Sequence, residues 1–245
     1  MKSLEKILER NLSYLLLFLL SILLLSSCAA SKEHILTGKI LSREEQTQLT
    51  PQAILDTLIR GNREFTEDNL TIRNNTARVR AASVGQFPMA VVLSCLDSRV
   101  PVEDIFHCGI GDLFVARVAG NVVDNDILGS LEYACKVSGS KLIVVLGHEY
   151  CGAIKSAIDD VKLGHITYIL DKIQPAVVSA RENFPGTATT SNEAFVHDVC
   201  ERNVHLGIAR IRQSEILKEM ENNGDIMVVG GVYDMNTGEV NFFHP

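Results

Sequence analysis

The stretch Ser94-Cys95-Leu96-Asp97-Ser98-Arg99 sets a thiol, a carboxylate and a guanidinium within five positions, directly after the apolar run Met89 to Leu93. His148 and Cys151 stand three residues apart in HEYC, at the end of a second apolar run. Two thiolates and one imidazole suit Zn²⁺, and three protein ligands leave a fourth position, the mark of a catalytic rather than a structural site. A helix N-terminus expected near Gly152 favours a thiolate on Cys151, because its free N–H groups and dipole stabilise negative charge. Water in the fourth position would be acidified from about 15.7 in bulk toward about 7, giving zinc-bound hydroxide. Two thiolates neutralise much of the metal's charge, so this water is expected to be less acidic than in an all-histidine site, with activity rising toward alkaline pH. Asp97 beside the metal would accept the hydroxide's hydrogen bond and orient it, while Arg99 keeps Asp97 ionised and in place. In the other arrangement Asp97 itself becomes the fourth ligand and closes the site.

Cys95 and His148 lie 53 positions apart, so they meet only if the runs that carry them are neighbouring strands. Four runs rich in Val, Ile and Leu, MAVVLS, LFVARV, KLIVVLG and IMVVGGV, are nearly continuous, which is how strands buried on both faces read. Helical patterns lie around them. Thr50 caps the first, Pro51 fits its first turn, and Ile54, Leu55, Leu58, Ile59 and Phe65 make its apolar face, with Gly61 a weak interruption. DILGSLEYACKVSG takes Asp126 as cap and Gly139 as stop, and further helices are expected over 152–163 and 192–222. DMNTGEVNFF leads the last strand into a hairpin. The alternation predicts an α/β fold: a central, mostly parallel β-sheet flanked by helices, with a C-terminal hairpin strand. Such sheets bind ligands beyond the carboxyl ends of their strands, where the strand order reverses, and both clusters fall at strand ends.

The 245 residues are 46% hydrophobic and 22% charged, the values of an ordinary globular protein. A net charge of -7 with no basic stripe excludes nucleic acid as the expected partner. Lys2, Lys6 and Arg10 precede an apolar stretch densest over Leu15 to Leu25, which reads as an export signal. It is shorter than the roughly 20 residues a spanning helix needs. Its end, Leu25-Ser26-Ser27-Cys28, resembles the bacterial lipobox, which implies cleavage before Cys28 and lipid on its sulfur. The expected product is an exported protein, anchored to a membrane through its N-terminal lipid and facing the periplasm or the cell exterior. With Cys28 lipidated, five cysteines remain, an odd number that does not suit a fully paired disulfide framework.

CLDSR at 95–99 followed by HEYC at 148–151 resembles the β-class carbonic anhydrases, whose pattern is CxDSR with a later HxxC. GDLFVARVAGN at 111–121, GSLEYA at 129–134 and LGHEYCGAIK at 146–155 are similar to further segments of that family. The division implied is a signal peptide over 1–27, a lipidated N-terminus and tether over 28–49, and a β-carbonic anhydrase-like catalytic domain over 50–245. The resemblance implies zinc on Cys95, His148 and Cys151, an Asp97–Arg99 catalytic dyad, and reversible hydration of carbon dioxide to bicarbonate and a proton. Gln86, Phe114 and Tyr133 match the plant-type active site, nine residues before Cys95, nineteen after it and fifteen before His148. In that family the amide of Gly152 would join Gln86 on the substrate oxygens, with Phe114 as an apolar wall. A homodimer or higher homo-oligomer is implied too, with the sheet and the helix after Thr50 at the interface and Gln86 and Tyr133 facing the other subunit's zinc. Two departures bear on pocket shape and rate: Val118 stands where plant-type members often carry asparagine, and bulky Tyr150 sits inside HEYC. The alternatives are a carbon disulfide or carbonyl sulfide hydrolase on the same fold, and a non-catalytic bicarbonate or redox sensor. Cys108, Cys135 and Cys200 read as core residues or as sites vulnerable to oxidation.

Overall fold

The computed structural model describes residues 34–36, 39–69 and 71–243. The chain divides into two units, Met1–Ile35 and Leu36–Pro245, and the second carries the central sheet with its flanking helices. The expected export signal and Cys28 lie outside the described residues. Among the described residues no helix is long and apolar enough to cross a membrane.

The four Val- and Ile-rich runs form β1 (Ala90–Ser94), β2 (Leu113–Arg117), β3 (Leu142–His148) and β4 (Met227–Tyr233), and β5 (Val240–Phe243) completes the sheet. Their order is β2-β1-β3-β4-β5. The first four are parallel, and β5 joins β4 antiparallel through the expected hairpin. Every residue of β1 and β3 is buried, as continuous apolar runs require. β2 departs from that expectation: it is the sheet's edge, and its residues are half-buried or exposed because it has a neighbour on one side only.

Alternation along the strands feeds two cores. Val91, Leu93, Ile143 and Val145 pack on one face with Ile154, Ile173 and Phe195. Those three come from α6 (Gly152–Ile158), α7 (Ile166–Asn183) and α8 (Glu193–Ile211). On the other face Val92, Val144 and Leu146 meet Ile54, Leu55 and Leu58 of α2 (Pro51–Thr66) and Ile105 of α4 (Val102–Ile105). The Thr50 hydroxyl accepts the Ala53 amide at 3.2 Å and Pro51 opens α2, so that helix begins where its sequence signals place it.

Several boundaries differ from expectation. α5 (Asn125–Glu132) is capped by Asp124 rather than Asp126, and it continues as a π turn over Tyr133–Val137. The helix expected over 152–163 stops at Ile158. The one expected over 192–222 is two, α8 and α9 (Glu215–Asn222), because the Ser214 hydroxyl accepts the Leu217 amide and starts a new cap. α7 has no counterpart among the expected helices, since its internal Pro175 reads as a breaker. α3 (Asn75–Ala82) is likewise additional. The polar segment expected as tether up to residue 49 is docked in its last part. There α1 (Arg43–Gln48) buries Gln46, whose amide donates to the carbonyls of Pro88 at 2.8 Å and Ser138 at 3.0 Å.

Gly61 is no mere interruption of α2. A Cβ at that position would lie 2.1 Å from the Phe106 carbonyl oxygen, backbone that cannot step aside. Helix propensity alone would reward Gly61→Ala by about 1 kcal/mol, but the overlap should dominate and leave a net loss of about 1–3 kcal/mol. Urea unfolding decides the sign, and a midpoint at or above that of the wild type would refute the packing argument.

Candidate metal centre

β1 pairs in parallel with β3, Ser94 opposite Leu146, so Cys95, one residue beyond β1, and His148, the last of β3, leave the sheet side by side. The neighbours required for these two residues to meet are therefore present. The strand order also reverses here, β2 lying to one side of β1 and β3 to the other, which opens the crevice where α/β sheets bind ligands. Cys151 stands at the N-cap of α6, completing the group.

The two sulfurs and a ring nitrogen of His148 all lie within 4.8 Å of one another, and all three residues are buried. His148 Nδ1 lies 2.8 Å from the Glu149 carbonyl oxygen, so Nδ1 carries the proton and Nε2 the free lone pair. That Nε2 is buried and has no hydrogen-bond partner among the described residues. Leaving such a group unpaired costs free energy, and a cation facing it and two sulfurs removes the cost. Tetrahedral zinc, with bonds of about 2.3 Å to sulfur and about 2.0 Å to nitrogen, needs donor atoms about 3.5–3.8 Å apart, inside the observed limit. The donor set fits that ion.

The thiols are electrostatically unequal. Cys95 is drawn down chiefly by the neighbouring Cys151 thiol, against burial, with the Gly120 amide adding a donor. The same contact with Cys95, together with burial, pushes Cys151 up. The two shifts run in opposite directions, so the site favours one thiolate facing one thiol where a divalent cation would face both sulfurs.

Asp97 stands at the rim. Arg99 grips its carboxylate with two side-chain bonds, Nε to Oδ1 at 3.0 Å and Nη2 to Oδ2 at 2.8 Å, and its backbone amide adds a third at 2.9 Å. These bonds, the Arg99 side chain first, hold the Asp97 carboxyl down at about 2, so it is ionised at neutral pH. Oδ2 lies 4.0 Å from His148 Nε2. The carboxylate is turned to Arg99, beside the ligand group rather than within it.

The remaining candidates are spread out. Gly152 is exposed at the first position of α6. Phe114 on β2 and Tyr133 at the start of the π turn line one groove with Val91, Ala116 and Gly129, and none of the three ligands lines it. Gln86 is exposed ahead of β1. Two supporting residues escaped sequence reasoning. Arg117 donates through Nε to the Cys95 carbonyl at 3.0 Å and through Nη2 to the Asp97 carbonyl, clamping the loop that carries both. Gly120, at φ 68°, turns its amide to the Cys95 sulfur at 3.4 Å. An arginine closing an apolar strand was the visible signal for the first, but only the pairing of Ser94 with Arg117 shows what it reaches.

Fold and site together define an α/β protein with a two-cysteine, one-histidine cluster that fits a metal ion, at a topological switch point. The profile of the family described as "Carbonic anhydrase" matches residues 90–240. "Carbonic anhydrase 2" of Mycobacterium tuberculosis is 35% identical over 194 residues, covering 77% of this chain and 90% of that protein. Among solved structures, a tetrameric β-carbonic anhydrase of Sordaria macrospora superposes with a TM-score of 0.65 at 26% identity, covering 70% of this chain and 88% of that one. The β-carbonic anhydrase of Coccomyxa, in complex with acetazolamide, gives 0.60 at 25% identity, covering 77% and 86%. The chain belongs to the carbonic anhydrase family, in its β class.

Two substitutions test the centre. Cys151→Ala should abolish stoichiometric zinc retention after dialysis, read by metal analysis, and full zinc content in that variant would remove Cys151 from the ligand set. Arg117→Ala should keep the fold but weaken zinc affinity about 10-fold, the usual scale for supporting residues; competition with a chelating dye measures it.

Proposed function

We propose that this enzyme interconverts carbon dioxide and bicarbonate at a zinc ion held by Cys95, His148 and Cys151. The observation that carries the reading is the buried ligand group, with its unpartnered imidazole nitrogen, beside an arginine-held carboxylate. When bound, zinc supplies Lewis acidity that brings the pKa of water toward neutrality. The chain's residues do the rest. Asp97, kept ionised by Arg99, accepts a hydrogen bond from the nucleophilic water and points its lone pair at the carbon. Its low proton affinity makes it an orienting acceptor rather than a store for the released proton. The family resemblance assigns the Gln86 side chain and the Gly152 amide to the substrate oxygens and Phe114, with Tyr133, to the pocket wall. Carbon dioxide is apolar and bicarbonate charged, so such a pocket needs a wall and a few donors.

Because Phe114 and Tyr133 line a groove that the ligands of the same chain do not, the reading includes a homo-oligomer of at least two chains, with Gln86 and Tyr133 serving another subunit's zinc. The Sordaria relative is described as tetrameric, which supports assembly. The reading also includes export after cleavage of residues 1–27 and membrane anchoring through lipid on Cys28, with the catalytic domain in the periplasm or at the cell exterior. Its support is the basic, then apolar, then Leu25-Ser26-Ser27-Cys28 sequence.

Asp97→Asn separates orientation from metal binding. The variant should retain full zinc and lose about 100-fold or more in stopped-flow carbon dioxide hydration. A zinc-loaded wild-type enzyme with no hydration above buffer at alkaline pH would end this reading.

A further inference from the structure

Tyr150 stands between two ligands, His148 and Cys151, with a φ of 56°, in the left-handed region that glycine occupies freely and a bulky side chain does not. Such strain persists only where the surroundings hold it. Three contacts do so. The Asn236 side-chain amide donates to the Tyr150 hydroxyl at 3.1 Å. The Lys155 ammonium lies 5.6 Å from the centre of the tyrosine ring. The Tyr150 carbonyl accepts from Arg99 Nη2 at 3.4 Å, the same nitrogen that donates to Asp97 Oδ2 at 2.8 Å. Asn236 is a firm anchor, since its backbone amide donates to Asp234 Oδ1 at 2.7 Å and the turn around it is closed by the Asp234 amide on the Glu239 carbonyl at 2.8 Å.

We propose that Tyr150 is a positioning residue: latched by its hydroxyl to Asn236 in the β4–β5 hairpin, it fixes the left-handed bend that aligns His148 with Cys151 and aims a carbonyl at Arg99. The inference rests on the carbonic anhydrase reading of the same site and assigns Tyr150 a role other than bulk in the pocket. At 3.4 Å the carbonyl contact is at the long end for a hydrogen bond, so it selects one pose of the guanidinium rather than binding it tightly. The latch therefore acts through geometry, on metal affinity and turnover, and hardly on global stability. The half-buried phenol reaches the hairpin, a segment 86 positions away in sequence, so the metal loop is tied to the antiparallel end of the sheet as well as to β3.

The test uses the full chain carrying Tyr150→Phe, Asn236→Ala or both, with cobalt(II) added to the metal-free protein and carbon dioxide hydration followed on the zinc-loaded enzyme. Each single variant should weaken cobalt(II) affinity about 10-fold and alter its visible absorption. Each should also lower kcat about 10-fold, with KM within about twofold of wild type, and leave the thermal midpoint of the metal-free protein unchanged. The double variant should be no worse than either single one, because both break the same latch. Wild-type values of cobalt(II) affinity or kcat in either single variant, or losses that multiply in the double variant, overturn the proposal. A wild-type protein that binds cobalt(II) but hydrates no carbon dioxide sinks the functional reading alone, and the affinities then judge the latch.

Discussion

Crowding two sulfurs and a bare imidazole nitrogen into one buried space is unfavourable unless something positive stands among them, and much of the architecture around this site answers that constraint. Drawing Cys95 toward the thiolate while pushing Cys151 away from it relieves only part of the conflict. His148 Nε2 is left over, because its other ring nitrogen is committed to the Glu149 carbonyl. The fold surrounds the deficit with donors: the Gly120 amide on one sulfur, the Arg117 fork on the loop carbonyls, and Arg99 drawing the Asp97 carboxylate to the rim. Each adds positive potential or removes negative charge, the same direction in which a divalent ion acts.

These donors come from elements that the sheet order brings to one end. β1, β2 and β3 deliver Cys95, Arg117 and His148 at their carboxyl ends, and α6 begins there with Cys151 as its cap. The helices on the far faces contribute by closeness. A Cβ on Gly147 would lie 2.9 Å from Cys200 Sγ, and that thiol donates to the His148 carbonyl at 3.4 Å, so α8 presses against the ligand strand at the residue before the ligand. Cys200 is thus a packing residue that also satisfies a backbone acceptor, consistent with its reading as core.

The site was legible in the sequence because its chemistry is written locally. CLDSR and HEYC each hold their groups within one turn, and continuous apolar runs before them mark buried strands. Adjacency of β1 and β3 was a requirement of the chemistry before it was an observation. What stayed hidden depended on pairing or on context. Arg117 looks like an ordinary strand terminus until β2 is laid beside β1, and Gly61 looks like a flaw in α2 until Phe106 is placed behind it. α7 escaped because Pro175 breaks the pattern a helix normally shows, and the docking of α1 escaped because its one buried side chain, Gln46, is polar. Gln86, Phe114 and Tyr133 could be named only by spacing against a known family, for nothing in their own neighbourhoods distinguishes an exposed glutamine or a strand phenylalanine.

The candidate ligands come from the ends of two strands and from the helix cap that follows the second, 53 positions separating Cys95 from His148. An ion bridging them staples that span, cutting the freedom of the unfolded chain as a covalent cross-link would. With an ion there, metal supply and folding would be thermodynamically linked: a scarce ion would lower resistance to unfolding as well as turnover, and a chelator would act partly as a denaturant.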